Sequence, residues 1–162
     1  LERLKAGESV ALVCDGGTPL ISDPGWWLVR RALDEHIPVQ HLPGPCAAVA
    51  ALVLSGLPTE RFVFEGFLPA KPGARRNRLE ALREETRTVV LYESPHRLRK
   101  LLDELLDIVG DVSASVSREL TKQFEETRRG RVSELRDHFA QSTPRGEFVI
   151  VLNPQSTIRN PQ

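Results

Sequence analysis

Short apolar runs that alternate with segments of helical spacing constrain the fold of this chain more than any other feature. Residues 10–14, VALVC, are too few for a helix and are followed by a loop rich in Gly and Pro, after which apolar residues recur with helical spacing over residues 26–35. The same order of strand, loop and helix is then repeated by an apolar segment at residues 39–42, a tight turn and a small-residue helix over 46–55. This alternation predicts a parallel α/β layer whose ligand sites lie in the loops after the strands.

The same pattern continues to residue 153. It predicts strands at 61–65, 88–92, 112–117, 124–128 and 146–152, and helices at 76–85, 95–109 and 132–140. We therefore expect an α/β protein in which residues 1–57 are the tail of a parallel-sheet N-terminal domain. Residues 58–153 are expected to form a mixed-sheet α/β C-terminal domain, and the polar residues 154–162 a flexible tail.

Composition excludes several classes of protein. The net charge is zero, so the total charge gives no reason to expect nucleic acid as a partner. The longest strongly apolar run, residues 47–54, is far shorter than the ~20 residues of a membrane span, which argues against a transmembrane helix. The two cysteines do not form a Cys-x-x-Cys pair and the four histidines lack metal-binding spacing, so we expect no metal and a reducing, cytoplasmic setting. The chain starts at Leu1 and contains no methionine, which favours a piece of a longer protein.

The loop at residues 15–23, DGGTPLISD, is the first candidate ligand site. Gly16 and Gly17 allow a tight turn and a close approach of a ligand to the backbone. Polar side chains of modest size flank them: Asp15, Thr18, Ser22 and Asp23. The alternative is an ordinary strand-to-helix loop without a ligand.

Charge favours a cationic ligand at this loop. The chain has neither the Gly-x-Gly-x-x-Gly nor the Gly-Lys-Ser/Thr pattern of nucleotide phosphate loops. Asp15 and Asp23 would repel a polyphosphate but suit a ligand with positive charge and free hydroxyl groups. S-adenosylmethionine (SAM), which has a sulfonium, an ammonium and a ribose, therefore fits better than NAD or ATP.

Two further segments are candidate sites. Residues 43–47, PGPCA, open a helix whose free N–H groups can hold a ligand oxygen, although a helix start without a ligand explains them equally well. Residues 92–97, YESPHR, follow a buried strand and place Glu93, His96 and Arg97 together. Ser94 and Pro95 in the same segment are explained by the start of a helix.

Basic residues cluster in three places. Residues 71–78, KPGARRNR, carry four positive charges and no acid, and residues 128–131, RRGR, carry three more. The third cluster, RELTK at residues 118–122, mixes both signs. Phosphate contact explains these clusters, and an ordinary solvated loop or strand edge is the alternative.

Five stretches, taken in order, resemble one family. They are VALVCDGGTPLISDPGWWLV, HLPGPCAAVAAL, SGLPTERFVFEGFLP, TVVLYESPHR and SRELTKQFEE, and together they span about residues 4–152. In this order they resemble the ribosomal small-subunit RNA (cytidine-2′-O)-methyltransferases of the tetrapyrrole-methylase class of SAM enzymes. The chain departs from the family at Gly16 and Cys46, where Ala and Ser are usual, and a thiol is a weaker hydrogen-bond donor than a hydroxyl.

The resemblance implies two α/β domains with SAM in the cleft between them, a homodimer, and methyl transfer to the ribose 2′-hydroxyl of a cytidine in 16S rRNA of the small ribosomal subunit. It adds SAM contacts on the first loop, on the turn at 43–47 and at the end of the strand before Glu93. With the polar residues of the loop, the predicted cofactor contacts are Asp15, Gly17, Thr18, Pro19, Ile21, Ser22, Asp23, Cys46, Ala47 and Tyr92.

The implied reaction requires alignment of the ribose oxygen with the methyl group, which is worth about 7–11 kcal/mol, and loss of the hydroxyl proton. Glu93 and His96 are the candidate catalytic bases. The residues predicted to contact rRNA phosphates are Lys71, Arg75, Arg76, Arg78, Arg118 and Lys122.

The resemblance also implies that this chain is incomplete. The family begins with a strand, a glycine-containing loop and a Glu-Asp-Thr-Arg stretch, all of which would precede Leu1. We therefore expect this fragment alone to bind SAM weakly and to be inactive. Two alternatives are a tetrapyrrole-type small-molecule SAM methyltransferase, which the basic residues 71–78 disfavour, and a non-catalytic dimerisation or RNA-binding fragment.

Overall fold

The computed structural model describes residues 1–141 and 143–156, which contain six helices and five strands. The chain divides into two units, Leu1–Cys46 and Ala47–Gln162. The first unit contains α1 (Glu2–Lys5) and α2 (Trp26–Asp34). The elements of the second unit are α3 (Ala47–Ser55), β1 (Phe62–Phe67), α4 (Pro72–Arg83), β2 (Thr88–Glu93), α5 (Pro95–Ile108), β3 (Ser113–Arg118), β4 (Glu126–Arg131), α6 (Val132–Ala140) and β5 (Phe148–Asn153).

The five strands form one mixed sheet in the order β1-β2-β5-β3-β4. The first two strands are parallel, and each remaining pair is antiparallel. Val151 at the centre of β5 lies opposite Val90 on one side and Ser115 on the other. The predicted α/β fold with a mixed sheet in the C-terminal part is therefore confirmed. The carboxyl ends of the parallel pair meet at one edge of the sheet, where Phe67 is aligned with Tyr92.

One face of the sheet is covered by α4, α5 and α6, which build the main apolar core with it. Helix α5 begins with Pro95 in its first turn, a position that needs no N–H donor. Its fully buried residues share one face at helical spacing: Leu98, Leu101, Leu102 and Leu105. Burying each such side chain contributes about 1.5–3 kcal/mol, which makes α5 the principal helix of this core.

Helix α3 covers the opposite face of the sheet and contacts β2, β3, β4 and β5. The buried side of this helix consists of small or apolar residues, namely Ala48, Ala51, Leu52 and Ser55. The Ser55 hydroxyl donates to the Leu52 carbonyl at 2.7 Å, so its polar group is satisfied although it is buried. The sequence analysis assigned this helix to the first domain, and the domain boundary at residue 57 stays a prediction.

The strands predicted at residues 10–14 and 39–42 are absent from the structure. Both segments lie in the first unit, where Val13 and Leu42 are 80% and 86% exposed. An extended run becomes a strand only when its N–H and C=O groups pair with a neighbour, and the described residues of this unit contain no strand to pair with. The parallel sheet predicted for residues 1–57 is therefore not present in this chain.

Three other boundaries differ from prediction. The basic segment at 71–78 is not a loop, because Pro72 starts α4 and residues 72–83 are helical. Strand β4 lies a few residues later than predicted. Within the predicted tail, the Ser156 hydroxyl accepts the Ser113 amide at 2.8 Å, and residues 157–162 lie outside the described residues. No helix in the described ranges has the length and apolar character that crossing a membrane requires.

Candidate functional site

Hydrogen bonds fix the predicted ligand loop of the first unit at two points. The Cys14 thiol lies at the start of the loop and donates to the carbonyl of Gly16 at 3.2 Å. The Thr18 hydroxyl donates to the Pro45 carbonyl at 2.9 Å, which ties the loop to the turn at residues 43–47. Two segments that the sequence analysis selected separately therefore lie together. The anchoring role of Cys14 was missed, because a lone thiol carries no signal in the sequence.

The backbone of this loop is held in left-handed conformations. Gly17 has a φ of +75°, as its lack of a side chain allows. Leu20 and Ser22 have φ values of +74° and +66°, although left-handed backbone costs other residues of order 1–3 kcal/mol. Such strain clusters at ligand sites, because the surrounding contacts must hold it in place. The strained backbone makes this loop a candidate binding element, and its role in ligand binding stays a prediction.

A shallow pocket opens beside the two ends of the loop. Its lining residues are Leu12, Val13, Cys14, Asp15, Asp23, Pro24 and Gly25. Both carboxylates are exposed, so they give the pocket an acidic rim. Gly25 has a φ of +135°, which strains any larger residue, and a Cβ at this position would lie 2.7 Å from Leu12 Cδ2, so the leucine side chain would have to shift. Gly25 was not among the predicted site residues.

Tyr92 contacts the start of helix α3 in the second unit. Its hydroxyl accepts the backbone N–H of Ala48 at 3.1 Å, next to the predicted cofactor residue Ala47. This N–H is one of the orphan donors of a helix start, so the bond fixes where α3 begins. The start of α3 and the carboxyl end of β2 are therefore joined directly within the second unit.

Tyr92 also stands at the centre of an aromatic cluster. The ring centroids of Phe64 and Phe67 lie 5.0 and 5.6 Å from that of Tyr92, both in edge-to-face geometry. A β-bulge between Phe64 and Gly66 shifts the register of β1, and Gly66 has a φ of +62°. Neither phenylalanine was predicted as a site residue, because the sequence does not reveal the bulge that brings both rings to the same tyrosine.

Glu93 is a buried ion-pair partner rather than an accessible base. Its side chain has no exposed surface, and its carboxylate lies 3.2 Å from Nη1 of Arg75 and 3.3 Å from Nε of Arg97. It also accepts the Ser94 amide at 2.8 Å. A substrate cannot reach a carboxylate that is fully buried and enclosed by two guanidinium groups and an N–H group, so the structure disfavours the catalytic role predicted for Glu93.

Arg75 is likewise not a surface contact for RNA. The residue is 2% exposed, and its Nε donates to Glu104 while Nη1 faces Glu93. Its Nη2 has no hydrogen-bond partner among the described residues. The sequence analysis was wrong here because it took the segment as an exposed loop, whereas α4 turns this position towards the core.

The other predicted RNA contacts are on the surface, but most are already paired. Arg76 pairs with Glu80, Arg78 with Glu65, and Arg118 with Glu126. Lys122 lies 3.1 Å from Glu119 and 2.7 Å from Glu147, and these bonds raise its pKa. Lys71 differs from these four, because it is exposed and its ammonium group has no partner within the described ranges.

The second candidate base, His96, is exposed in the first turn of α5. Its neighbour Arg97 donates from Nη2 to the Leu68 carbonyl at 2.8 Å and so anchors the loop between β1 and α4. His96 therefore lies at the carboxyl edge of the parallel strand pair beside a fixed loop. Within residues 1–141 and 143–156, no group of His, Cys, Asp and Glu side chains is arranged to hold a metal ion.

The segment between β3 and β4 is a second strained loop. Glu119 and Thr121 are left-handed, with φ values of +49° and +66°. The Glu119 carboxylate accepts the Glu147 amide at 2.9 Å and contacts Lys122, and these two bonds hold its pKa below the usual range. The loop is thus fixed by polar contacts within the chain. Phe124, which follows it, is 65% exposed.

Comparison with known proteins identifies the family. The family model described as Tetrapyrrole (Corrin/Porphyrin) Methylases matches residues 1–136. The chain belongs to the tetrapyrrole methylase family. A relative from Pseudomonas aeruginosa, named "Ribosomal RNA small subunit methyltransferase I", is 50% identical over 155 residues, which are 94% of this chain and 55% of the relative. The chain thus spans about half the length of the first curated relatives that it matches.

Solved structures of methyltransferases share the fold. The methyltransferase CobJ matches 99% of this chain and 70% of its own chain, with a TM-score of 0.69 and 19% identity. Uroporphyrin-III C-methyl transferase from Thermus thermophilus, in complex with S-adenyl homocysteine, matches 85% of this chain and 63% of its own, with a TM-score of 0.58 and 20% identity. At these identities the likeness supports the α/β fold of the family alone.

Proposed function

We propose that this chain is part of a SAM-dependent methyltransferase that methylates the ribose 2′-hydroxyl of a cytidine in 16S rRNA. One observation carries the proposal: the P. aeruginosa relative, whose name describes an rRNA small-subunit methyltransferase, is 50% identical to 94% of the chain. The loop at 15–23, with its left-handed backbone, is the proposed cofactor-binding element of this chain.

The donor set of the loop fits SAM. The exposed carboxylates of Asp15 and Asp23 match the positive charge of the cofactor, and the left-handed backbone at Gly17 leaves room for close approach. When it is bound, SAM supplies a methyl group that is activated by the adjacent sulfonium. The residues that we propose to contact SAM are those predicted from the sequence: Asp15, Gly17, Thr18, Pro19, Ile21, Ser22, Asp23, Cys46, Ala47 and Tyr92.

We propose different roles in this reaction for individual residues of the chain. Thr18 and Tyr92 hold the backbone of the two predicted cofactor segments through bonds to Pro45 and Ala48. His96 is proposed to accept the proton that the ribose hydroxyl loses, because it is exposed while Glu93 is enclosed by its ion pairs. Such a base contributes about 10²–10⁴-fold to a rate. Glu93 and Arg75 act on the site only through the positions of β2 and α4.

We further propose that the protein works on the small ribosomal subunit in the cytoplasm, as a homodimer, and that turnover requires more of the length of its relatives than this chain contains. The surface cations Arg76, Arg78, Arg118 and Lys122 are proposed to attract rRNA phosphates in addition to Lys71. Because the four are paired with acids of the same chain, each would contribute less to phosphate binding than an unpaired cation.

The test uses a fusion protein in which this chain replaces the matching region of the P. aeruginosa relative. The fusion protein, and this chain alone, are incubated with methyl-tritiated SAM and either small ribosomal subunits that lack ribose methylation or uroporphyrinogen III. Transfer of label by the fusion protein to 16S rRNA, and none to the tetrapyrrole, is expected. Label in the tetrapyrrole would favour a small-molecule methyltransferase, and label in neither acceptor would contradict methyl transfer by this site. Turnover by the chain alone would contradict the requirement for additional length.

A further inference from the structure

We propose that Phe67 is a stacking platform for a base of the RNA substrate and that Lys71 contacts a neighbouring phosphate. This inference rests on the proposed function, because it names the part of the chain that recognises the RNA. Phe67 ends β1, and Lys71 directly precedes α4. We refer to these two side chains as the Phe67 surface.

The bulge in β1 places Phe67 where a regular strand would not. Side chains alternate between the two faces of a strand, so residues three apart, such as Phe64 and Phe67, would point to opposite faces. The register shift between Phe64 and Gly66 inserts one residue, and as a result both rings contact Tyr92. Bulges that redirect a side chain in this way are common beside active sites. Gly66 permits this one through its left-handed φ of +62°.

Phe67 is both exposed and held in place. It is 54% exposed, while its ring packs edge-to-face against Tyr92. The loop that follows is anchored by the bond from Arg97 to the Leu68 carbonyl. The contact with Tyr92 covers less than half of the Phe67 side chain, and the bulge leaves the rest of this large apolar group in water at the carboxyl edge of β1 and β2. A flat ligand that covers the ring would remove that apolar surface from water.

Charge indicates which flat ligand covers the ring. Lys71 is exposed and, within the part of the chain that the structure describes, its ammonium group has no hydrogen-bond or ion-pair partner. It follows Phe67 by four residues, so the two backbone positions are at most ~14 Å apart. A base for the ring and a phosphate for the ammonium group are the two parts of a single-stranded RNA, and stacking on aromatic side chains is the usual way in which proteins hold its bases.

The experiment measures binding of this chain to a single-stranded RNA oligonucleotide that carries the fluorescent base 2-aminopurine beside a cytidine. Stacking on a ring quenches this fluorescence, whereas phosphate contacts alone do not. Phe67→Leu, which removes the ring but keeps an apolar side chain, should weaken binding by about 5- to 100-fold and abolish the quenching. Phe67→Tyr should restore both. Lys71→Ala should leave the quenching intact and lower the salt dependence of binding by about one phosphate contact.

Phe62→Ala is the matched control, since Phe62 is 41% exposed on the same strand but at its opposite end. This variant should bind RNA like the unmodified chain. Normal quenching by Phe67→Leu would overturn the inference while leaving the proposed function intact. Loss of SAM binding by Phe67→Leu without loss of RNA binding would also overturn it, and would assign the ring to the cofactor. Failure of the unmodified chain to bind RNA, together with tetrapyrrole binding that needs Phe67, would refute the inference and the proposed function together.

Discussion

Nη1 of Arg75 lies 3.2 Å from Oε2 of Glu93, and their side chains are 3% and 0% exposed. The two residues connect α4 to the end of β2, directly after Tyr92. Because a buried charge is costly without its partner, loss of either side chain would leave an uncompensated charge between α4 and the end of β2. The same contact changes two functional predictions at once, since it removes Arg75 from the RNA-binding surface and Glu93 from the candidate bases.

Arg75→Ala should lower the free energy of unfolding by about 3–5 kcal/mol, because it leaves the buried Glu93 carboxylate without its main partner. Urea denaturation of this chain measures the effect. Arg76→Ala is the matched control: Arg76 is the next residue on the same helix, its side chain is 62% exposed, and its removal should change stability by less than about 0.5 kcal/mol. Equal effects of the two substitutions would show that the buried pair does not stabilise the fold.

Tyr92→Phe should reduce the free energy of unfolding by about 1–3 kcal/mol, because the buried Ala48 N–H loses its acceptor at the start of α3. The aromatic contacts with Phe64 and Phe67 are kept in this variant, so the change isolates the hydroxyl. Thermal or urea unfolding measures the loss. Unfolding at the same denaturant concentration as the unmodified chain would mean that the hydroxyl does not fix the helix start.

The contribution of the Asp111 carboxylate to stability can be tested by changing the pH. Burial raises the pKa of this carboxyl, but hydrogen bonds from the Ser133 amide and hydroxyl and from Arg131 outweigh it and leave the pKa below the ordinary value of 3.8. Because the pKa is depressed in the folded chain, the stabilisation is present above pH 3.8 and is lost as the pH falls through the lower, folded value. Asp111→Ala should therefore cost about 0.5–2 kcal/mol at pH 7, mainly through the lost bond to the start of α6.

The measurement is the difference in unfolding free energy between Asp111→Ala and the unmodified chain at pH 7 and at successively lower pH. The difference should shrink as the unmodified carboxylate becomes protonated. Asp107→Ala, an exposed site on α5, is the control and should show no comparable change with pH. A difference that stays constant down to strongly acidic pH would contradict the role of the Asp111 charge.

Thr18→Val should weaken SAM binding by the fusion protein by about 3- to 10-fold, because the loop at 15–23 loses its bond to the Pro45 carbonyl while keeping nearly the same shape. Calorimetric titration with SAM measures the affinity. Thr59→Val, an exposed threonine between α3 and β1, should bind SAM normally. Unchanged affinity in Thr18→Val would separate this hydrogen bond from cofactor binding.

Local patterns were sufficient to predict most of the second unit. The leucines of α5 recur at helical spacing, and the continuous apolar run of β2 indicates a strand that is buried on both faces. The two glycines of the motif at 15–23 predicted a tight turn, and Gly17 has a left-handed φ, whereas the left-handed Leu20 and Ser22 were not predicted. These features depend on neighbours within a few residues, so a single sequence contains the information for them.

Other features depend on contacts that are distant in the chain. Arg75 is buried because Glu93 and Glu104 lie 18 and 29 residues further along the sequence, and a cluster of basic residues does not reveal them. Phe67 belongs to the aromatic cluster because of a bulge that is defined only by pairing with β2. For the same reason residues 10–14 have the composition of a strand but are not one, since strand formation requires a partner.

The most direct test of the central claim is mass spectrometry of nucleosides and RNA fragments from small ribosomal subunits that have been incubated with SAM and the fusion protein. The proposed function predicts a new 2′-O-methylcytidine in 16S rRNA, and its formation should slow by about 10²-fold or more in the His96→Ala variant. A methyl group on a base, a methylated ribose at another nucleotide type, or no methylated nucleotide in 16S rRNA would contradict the claim.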